Sequence, residues 1–264
     1  MLANNILNLV SKYLFDKMVK HFQEAADKIK TAKHLIAFTG AGISVESGIP
    51  PFRGKNGLWS KYDPQCLDLD FFHAHPKEAW IAIKSIFYDF FGTARYNPAH
   101  QVLANWERKG ILKALITQNI DNLHQEAGSH LVIEFHGNSQ KLVCEHCQQI
   151  YLPKDIDLKI LPPLCPNDRS VLKPDFVFFG EGIPEKAYQR SILEAKNADV
   201  VLIIGTTGEV MPAAMIPTEA KRFGATIIEI NTEVSNYTNE ITDVFLQGKA
   251  SSILWELAQL ISNE

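Results

Sequence analysis

Short, nearly unbroken apolar runs punctuate the chain: His34–Thr39, Leu112–Thr117, Leu131–Phe135, Asp175–Phe179, Asp199–Ile204, Thr226–Ile230 and Asp243–Leu246. Runs of this kind, without strict alternation, are the pattern of parallel strands covered on both faces. Helical patterns lie between some of them, such as Pro184–Lys196 and Ala213–Phe223, the latter stopped by Gly224 as a C-terminal cap. Strands alternating with helices predict an α/β fold built on a doubly wound, Rossmann-like parallel sheet.

Two segments break the alternation. Leu58 to Glu107 is helical and aromatic-rich, with Phe71, Phe72, Trp80, Phe87, Tyr88, Phe90 and Phe91. Lys141 to Lys173 holds Cys144, Cys147 and Cys165, several prolines and no long periodic run. Residues 31–57, 108–138 and 174–264 are therefore expected to form the sheet domain. Residues 58–107 become a helical module, and 139–173 a cysteine-bearing module, of a smaller inserted lobe. Ligands of open α/β sheets sit beyond the carboxyl ends of the strands, so the crevice between the lobes is the expected site.

The first thirty residues read separately. Leu2, Ile6, Val10, Leu14, Phe22, Ala25 and Ile29 recur at helical spacing, with Lys12, Lys17, Lys20, Glu24 and Asp27 among them. The stretch has neither the unbroken apolar centre and cleavage site of a secretory signal nor the arginines of a mitochondrial presequence. Residues 1–30 are expected to form an amphipathic helix packed on the domain or on a partner.

Composition narrows the function. The 264 residues are 46% hydrophobic and 21% charged, as in ordinary globular proteins. A net charge of −4 with both signs mixed leaves no nucleic-acid footprint. No apolar stretch reaches the roughly 20 residues of a membrane span. Four cysteines, two of them in Cys-x-x-Cys, suggest a metal in a reducing compartment, the cytoplasm, rather than a disulfide framework.

The candidate chemistry begins at "TGAGISVESGIPPFRGKNGLW", Thr39 to Trp59. Gly40-Ala41-Gly42 after a strand lets backbone approach a pyrophosphate at a helix N-terminus. Position 45 is Val where the third glycine of Gly-x-Gly-x-x-Gly would stand, and taken alone the pair is equally a plain turn. Gly48, Pro50 and Pro51 then break the helix almost as soon as it starts, before Phe52, Arg53 and Gly54. Such a loop can move over the reactive end of a dinucleotide. Gln118, Asn119 and Asp121 follow a strand, where they serve either as ligand groups or as helix caps. His136 follows another strand and is either a satisfied polar residue or a base that works near neutral pH.

The stretch Thr39–Arg53 resembles the signature loop of the sirtuins, NAD-dependent protein deacylases. The resemblance continues in "TQNIDNLHQEAGS", "EFHGN", "CEHC", "VFFGE", "GTTGEVMPAA" and "IIEIN", in the family's order, over about Ala32 to Ala258. The most similar members are prokaryotic. The resemblance implies NAD+ as co-substrate, held by Gly40, Ala41, Gly42, Ser44, Phe52, Arg53 and Gln118, with Asn119 and Asp121 orienting the nicotinamide amide and the ribose. Gly205, Thr206 and Thr207 would meet phosphate and ribose, Asn231 and Glu233 the adenosine ribose, and Ala250 the adenine. It makes His136, with Asn119 and Asp121, catalytic. In the implied reaction the acyl oxygen of a modified lysine attacks the anomeric carbon as nicotinamide departs. His136 then deprotonates a ribose hydroxyl so that it can attack the resulting imidate, and hydrolysis gives free lysine and acyl-ADP-ribose. Such a cofactor is cleaved, so a loop that closes on the ring and then releases it suits the task.

The resemblance further implies an acyl-lysine protein or peptide as partner, adding as a strand between Val177, Phe179, Gly180 and Glu181 on one side and Glu209-Val210 on the other. Relatives favouring acidic acyl groups carry Tyr-x-x-Arg. Here Tyr88 is followed by Asp89-Phe90-Phe91, which favours a neutral group such as acetyl. Cys144, Cys147 and Cys165 fit three ligands of a tetrahedral zinc site, and position 168, a cysteine in the family, is Asp. Zinc held by Cys144, Cys147, Cys165 and Asp168, zinc with another fourth ligand, and no zinc all stay open. Thr207 for serine keeps the hydroxyl, and Pro51 for aspartate stiffens the loop. Protein ADP-ribosyl transfer or NAD hydrolysis by the same site, and a silent NAD-binding sensor, are the alternatives.

Overall fold

A computed structural model describes residues 18–52, 57–90 and 94–262. The first described element is helix α1, residues 18–31, whose Phe22, Ala25, Ala26 and Ile29 are buried at the helical spacing read from the sequence. Residues 1–17 of the expected N-terminal helix lie outside the described residues.

The main sheet has six strands: β1 (Leu35–Thr39), β2 (Leu112–Thr117), β3 (Val132–Glu134), β7 (Val200–Ile204), β8 (Thr226–Asn231) and β9 (Val244–Gln247). Their order is β3-β2-β1-β7-β8-β9, and every pairing is parallel. β1 and β7 are buried at every position because helices cover both faces. The period of two decides the face: Leu35 and Ala37 join one core cluster, Ile36 and Phe38 the other. Helices α4 (Pro98–Arg108) and α8 (Ala250–Ser262) close the first face with α1, through Val102, Leu103, Trp106, Leu254 and Leu257. Helices α6 (Glu185–Asn197) and α7 (Met215–Arg222) cover the second, through Ala195, Ile216 and Ala220. Gly224, at φ 95°, follows α7 in the left-handed conformation expected of its cap. α4 lies within the range 58–107 that the pattern assigned to the helical module, yet its apolar face belongs to the large-sheet core.

One strand expectation is corrected. Asp175–Phe179 does not join the parallel sheet. The strand there is β6 (Leu172–Phe176), which pairs antiparallel with β4 (Gly137–Cys144) in a second sheet of order β5-β4-β6, β5 being Ile150–Tyr151. A short apolar run carries no information about which sheet accepts it. β4 itself, "GNSQKLVC", escaped detection because its first half is polar. Helices α2 (Leu69–Ala74) and α3 (Pro76–Ile83), followed by a π-helical segment Lys84–Phe90, pack on this small sheet. Trp80, Phe87, Leu142, Leu172, Phe176 and Phe178 form their common core, and Trp80 Nε1–H donates to the Leu172 carbonyl at 2.8 Å. No helix among the described residues is long and apolar enough to cross a membrane.

Candidate functional site

Chain reversal after five strands brings the candidate residues to one edge of the sheet. Gly40 follows β1, Gln118 follows β2, His136 lies two residues past β3, Gly205 follows β7, and Asn231 ends β8. The sheet order reverses between β1 and β7, and a doubly wound sheet opens its ligand crevice at that point. There the two glycine loops clasp each other. Gly40 N–H donates to Ile204 O at 3.0 Å, and Gly42 N–H to Gly205 O at 2.8 Å. A Cβ on Gly42 would lie 2.6 Å from Gly205 Cα, and one on Gly205, at φ 61°, would lie 2.5 Å from Ile43 N. The glycines are thus required for loop-against-loop packing, a reason the dinucleotide motif does not contain.

The segment after Gly40 is a seven-residue 3₁₀ helix, Ala41–Ser47, stopped by Gly48 at φ 89°. Ser44 Oγ–H donates to Asp121 Oδ2 at 2.6 Å. Asn119, only 7% exposed, donates its Nδ2 to Gly40 O at 3.1 Å and to Ser44 Oγ at 3.3 Å. Asp121 Oδ1 accepts from Leu123 N–H at the start of α5 (Leu123–Glu126), so one oxygen caps a helix while the other faces Ser44. Burial raises the Asp121 carboxyl above the ordinary range, and the bonds from Ser44 and Leu123 oppose that rise. Gln118 Nε2 donates to Thr206 Oγ1 at 3.0 Å, and Asn231 Nδ2 to Thr206 O at 3.0 Å. Thr207 and Glu233 are exposed on the same rim. Ala250 begins α8 and is 7% exposed, packed in the core cluster beneath β8.

His136 has a defined tautomer. Its Nδ1 lies 3.0 Å from the Gln118 carbonyl oxygen, which can only accept, so Nδ1 carries the proton and Nε2 the lone pair. Burial lowers the pKa of the ring below its ordinary value, and the hydrogen bond to Gln118 opposes part of that shift. A neutral imidazole with one basic nitrogen, held against the Gln118 carbonyl, can accept a proton near neutral pH.

The "VFFGE" stretch is anchored from behind. Phe179 N–H donates to Leu67 O at 2.8 Å and Phe179 O accepts from Leu69 N–H at 3.0 Å, giving a parallel bridge with Asp68. Glu181 turns inward: Oε2 accepts from Phe178 N–H at 2.9 Å and meets the buried Lys173 Nζ at 2.9 Å. That carboxylate is engaged within the protein, whereas Phe179 is 44% exposed. Val177 N–H donates to the His136 carbonyl at 2.9 Å, which ties this edge to the candidate base. Gly180 sits at φ 85°, and Val210 is half-buried across the site. An aromatic row, missed in the sequence, runs from Phe52 through Trp59 to Phe179 with centroid separations of 5.4 and 6.3 Å. The Pro51 and Phe52 carbonyls accept from Leu58 and Trp59 N–H at 2.9 and 3.0 Å, closing the base of the loop. Arg53 lies outside the described residues. Tyr88 donates its hydroxyl to Ser139 O at 3.0 Å.

Away from this crevice, one ligand atom from each of Cys144, Cys147, Cys165 and Asp168 lies within 4.8 Å of the others. Cys147 Sγ and Cys165 Sγ are 3.7 Å apart, and Cys144 Sγ is 3.4 Å from an Asp168 oxygen. A tetrahedron with bonds of about 2.3 Å to sulfur has edges of about 3.8 Å, so the donor set fits zinc. His146 is not positioned as a fourth ligand. Its Nδ1 meets Asp168 Oδ2 at 3.0 Å, as an outer partner of a ligating carboxylate would.

A parallel sheet in the order β3-β2-β1-β7-β8-β9, with its polar groups at the strand ends, defines a dinucleotide-binding α/β protein with an inserted lobe. Residues 40–212 match the model of the Sir2 family. A protein of Pyrococcus furiosus named NAD-dependent protein deacylase is 48% identical over 236 residues, covering 86% of this chain and 92% of that protein. NAD-dependent protein deacylase 2 of Pyrobaculum aerophilum is 42% identical over 238 residues, covering 89% and 93%. A solved Sir2 variant with a deacetylated p53 peptide and 3'-O-acetyl ADP-ribose superposes with TM-score 0.85 at 35% identity, covering 89% of this chain and 96% of that one. A Sir2 complex with a p53 peptide and NAD+ superposes with TM-score 0.83 at 34% identity, covering 89% and 96%. The chain belongs to the Sir2 family.

Proposed function

We infer that this chain is an NAD-dependent protein-lysine deacylase, with acetyl its favoured group. The observation that carries the reading is the single basic nitrogen of His136, whose ring is fixed by the carbonyl of Gln118, the chain neighbour of Asn119, which bonds the same Ser44 Oγ that donates to Asp121. NAD+ is consumed: its nicotinamide–ribose bond breaks as the acyl oxygen takes the anomeric carbon. A ribose hydroxyl then attacks the resulting imidate carbon, and hydrolysis by one water breaks its bond to the lysine nitrogen, so that lysine leaves as the free amine and the acyl group stays on ADP-ribose. The chain's own groups supply the rest. The loops at Gly40–Gly42 and Gly205–Thr207 hold the phosphates and the ribose beyond them, and Asn231, Glu233 and Ala250 hold the adenosine. Asn119 and Asp121 orient nicotinamide and its ribose, and Gln118 braces that ribose. Phe52 covers the ring and excludes water. His136 Nε2 receives the proton of a ribose hydroxyl.

The substrate is an acyl-lysine peptide that adds as a strand beside Val177, Phe179, Gly180 and Val210. Backbone pairing makes that mode tolerant of sequence. Tyr88, its hydroxyl bound to Ser139, supports a neutral acyl group. Glu181 acts from behind the strand, through Lys173, rather than on the peptide. Cys144, Cys147, Cys165 and Asp168 hold a structural zinc that ties the small lobe together. Three thiols gathered as a ligand set support a reducing compartment, the cytoplasm.

The test is mass spectrometry of products from NAD+ and a panel of acyl-lysine peptides, alongside His136→Ala. Free lysine peptide and acyl-ADP-ribose are expected from the natural chain. Nicotinamide release with the peptide still acylated would instead mark ADP-ribosyl transfer or NAD hydrolysis, and nucleotide binding without release a silent sensor.

A further inference from the structure

Two histidines stand behind the site with no step assigned to them. His100, on the first turn of α4, is 0% exposed, and His124, on α5, is 1% exposed. Their ring centroids are 4.8 Å apart. His100 Nε2 and His124 Nδ1 are both buried without a hydrogen-bond partner among the described protein atoms. Buried polar groups are nearly always paired, so two orphan nitrogens on touching rings need a reason.

Counting protons supplies it. Asn97 N–H points at His100 Nδ1, 3.3 Å away, and a backbone N–H can only donate. The proton of His100 is therefore on Nε2. The Thr39 hydroxyl donates to Thr117 Oγ1 at 2.9 Å, so His124 Nε2, 3.0 Å from Thr39 Oγ1, must be the donor in that contact. His124 Nδ1 then carries a lone pair. The two orphans are complementary, one N–H and one acceptor. The opposite tautomer of His124 would turn two N–H groups toward each other in a buried site. Burial keeps both rings neutral: His100 is pushed down to about 4, and His124 well below its ordinary value, with the neighbouring ring adding to the effect.

We propose that one buried water joins His100 Nε2–H to His124 Nδ1, as the central link of a buried relay that positions Asn119 for NAD+. The relay runs from Asn97 through His100, His124 and Thr39 to Thr117, whose Oγ1 also accepts from Asn119 N–H at 3.1 Å. Asn119 in turn holds Gly40 O and Ser44 Oγ through its carboxamide. The other arm starts at the same residue: Asn97 Nδ2 donates to Ile43 O at 2.7 Å and to Ser47 Oγ at 3.0 Å, so it braces the 3₁₀ segment directly. α4 thereby fixes both partners of the Asn119–Ser44 contact. His100 and His124 are positioning residues, and the proposal rests on the reading of this site as the NAD+ site.

Two measurements decide it. Long-range ¹H–¹⁵N spectra of the histidine-labelled chain at neutral pH should show both rings protonated at Nε2 and bare at Nδ1. A proton on His124 Nδ1 overturns the relay. In steady-state kinetics with an acetyl-lysine peptide, His124→Leu should raise KM for NAD+ about tenfold and leave KM for the peptide unchanged. His124→Gln, which keeps a donor toward Thr39, should recover most of that loss. An unchanged KM for NAD+ in His124→Leu, with only the folded fraction reduced, makes the pair merely structural and overturns the proposal. Should that variant fail to fold, the same criterion applies to His100→Gln against His100→Leu. A natural chain that turns over no NAD+ overturns the functional reading, and this role with it, whichever tautomers the spectra report.

Discussion

The Nδ1–H of His136 donates to the backbone carbonyl of Gln118, 3.0 Å away, which leaves Nε2 as the one basic atom of the ring. Burial lowers this ring's pKa from the ordinary 6.5, and the base works in its neutral form, so activity is lost as pH falls through the lowered value. The acid limb of kcat/KM against pH should therefore lie below 6.5. A limb above 6.5 would assign the base to another group. His136→Ala should lose deacylation by about a thousandfold or more and retain part of the nicotinamide exchange, because removal of nicotinamide precedes the proton transfer.

The glycine clasp makes a second prediction, with an internal control. Gly205→Ala places a methyl 2.5 Å from Ile43 N at φ 61°, so strain and overlap act together. It should cost about 3 kcal/mol or more of stability and raise KM for NAD+. Gly224→Ala, at φ 95° with nothing within 4 Å of the added methyl, should cost about 1–2 kcal/mol and leave KM for NAD+ alone. Thermal unfolding with parallel kinetics separates the two. Equal effects would mean that the loops do not need their close contact.

The chain as isolated should carry about one zinc per molecule, measured by atomic emission, from a set that has the ligand charge of four thiolates. Asp168→Ala should lose the metal, and Asp168→Cys should keep it. Chelation should lower the melting temperature of the natural chain and of Asp168→Cys, and change Asp168→Ala little, because a structural metal contributes to folding. Full zinc in Asp168→Ala would show that the carboxylate is not a ligand.

Acid sensitivity follows from the same buried histidines. A pKa lowered in the folded state means that the unfolded chain binds more protons between the two values, so stability is complete above 6.5 and falls with pH below it. For His100 the window runs from 6.5 down to about 4 and corresponds to something on the order of 3 kcal/mol. His124 and His136 act in the same direction over windows that also open at 6.5. Asp199, lowered by the backbone N–H groups of Lys33 and His34 against an opposing burial effect, contributes only once pH drops below the ordinary carboxylate value of 3.8. Denaturant titrations from pH 7.5 to pH 4 should show the decline beginning near 6.5, and it should be shallower in His100→Gln. A decline equally steep in His100→Gln would contradict the neutral buried pair, since the raised Asp121 carboxyl, which acts in the opposite sense, is common to both chains.

Much of this molecule was written in local order. The run at 200–204 becomes a strand because a parallel strand buried on both faces needs only apolar side chains. Gly48 and Gly224 stop their helices because nothing else accepts those backbone angles so cheaply. The candidate groups were legible for the same reason: Gly40, Gln118, His136, Gly205 and Asn231 each follow or end a run, and strand ends are where a doubly wound sheet opens. What depends on distant partners was not. Whether "DFVFF" enters the parallel sheet or turns beside β4 depends on which edge receives it, and the residues themselves are equally suited to both. That Glu181 pairs with the buried Lys173 depends on a fold-back that neither residue announces. Helical spacing sends α4's apolar stripe to some core, and only packing chose the large sheet. The touching rings of His100 and His124, 24 residues apart in the chain, exist only once α4 and α5 meet, since a proton's position in a buried contact is set by neighbours that the order of residues does not name.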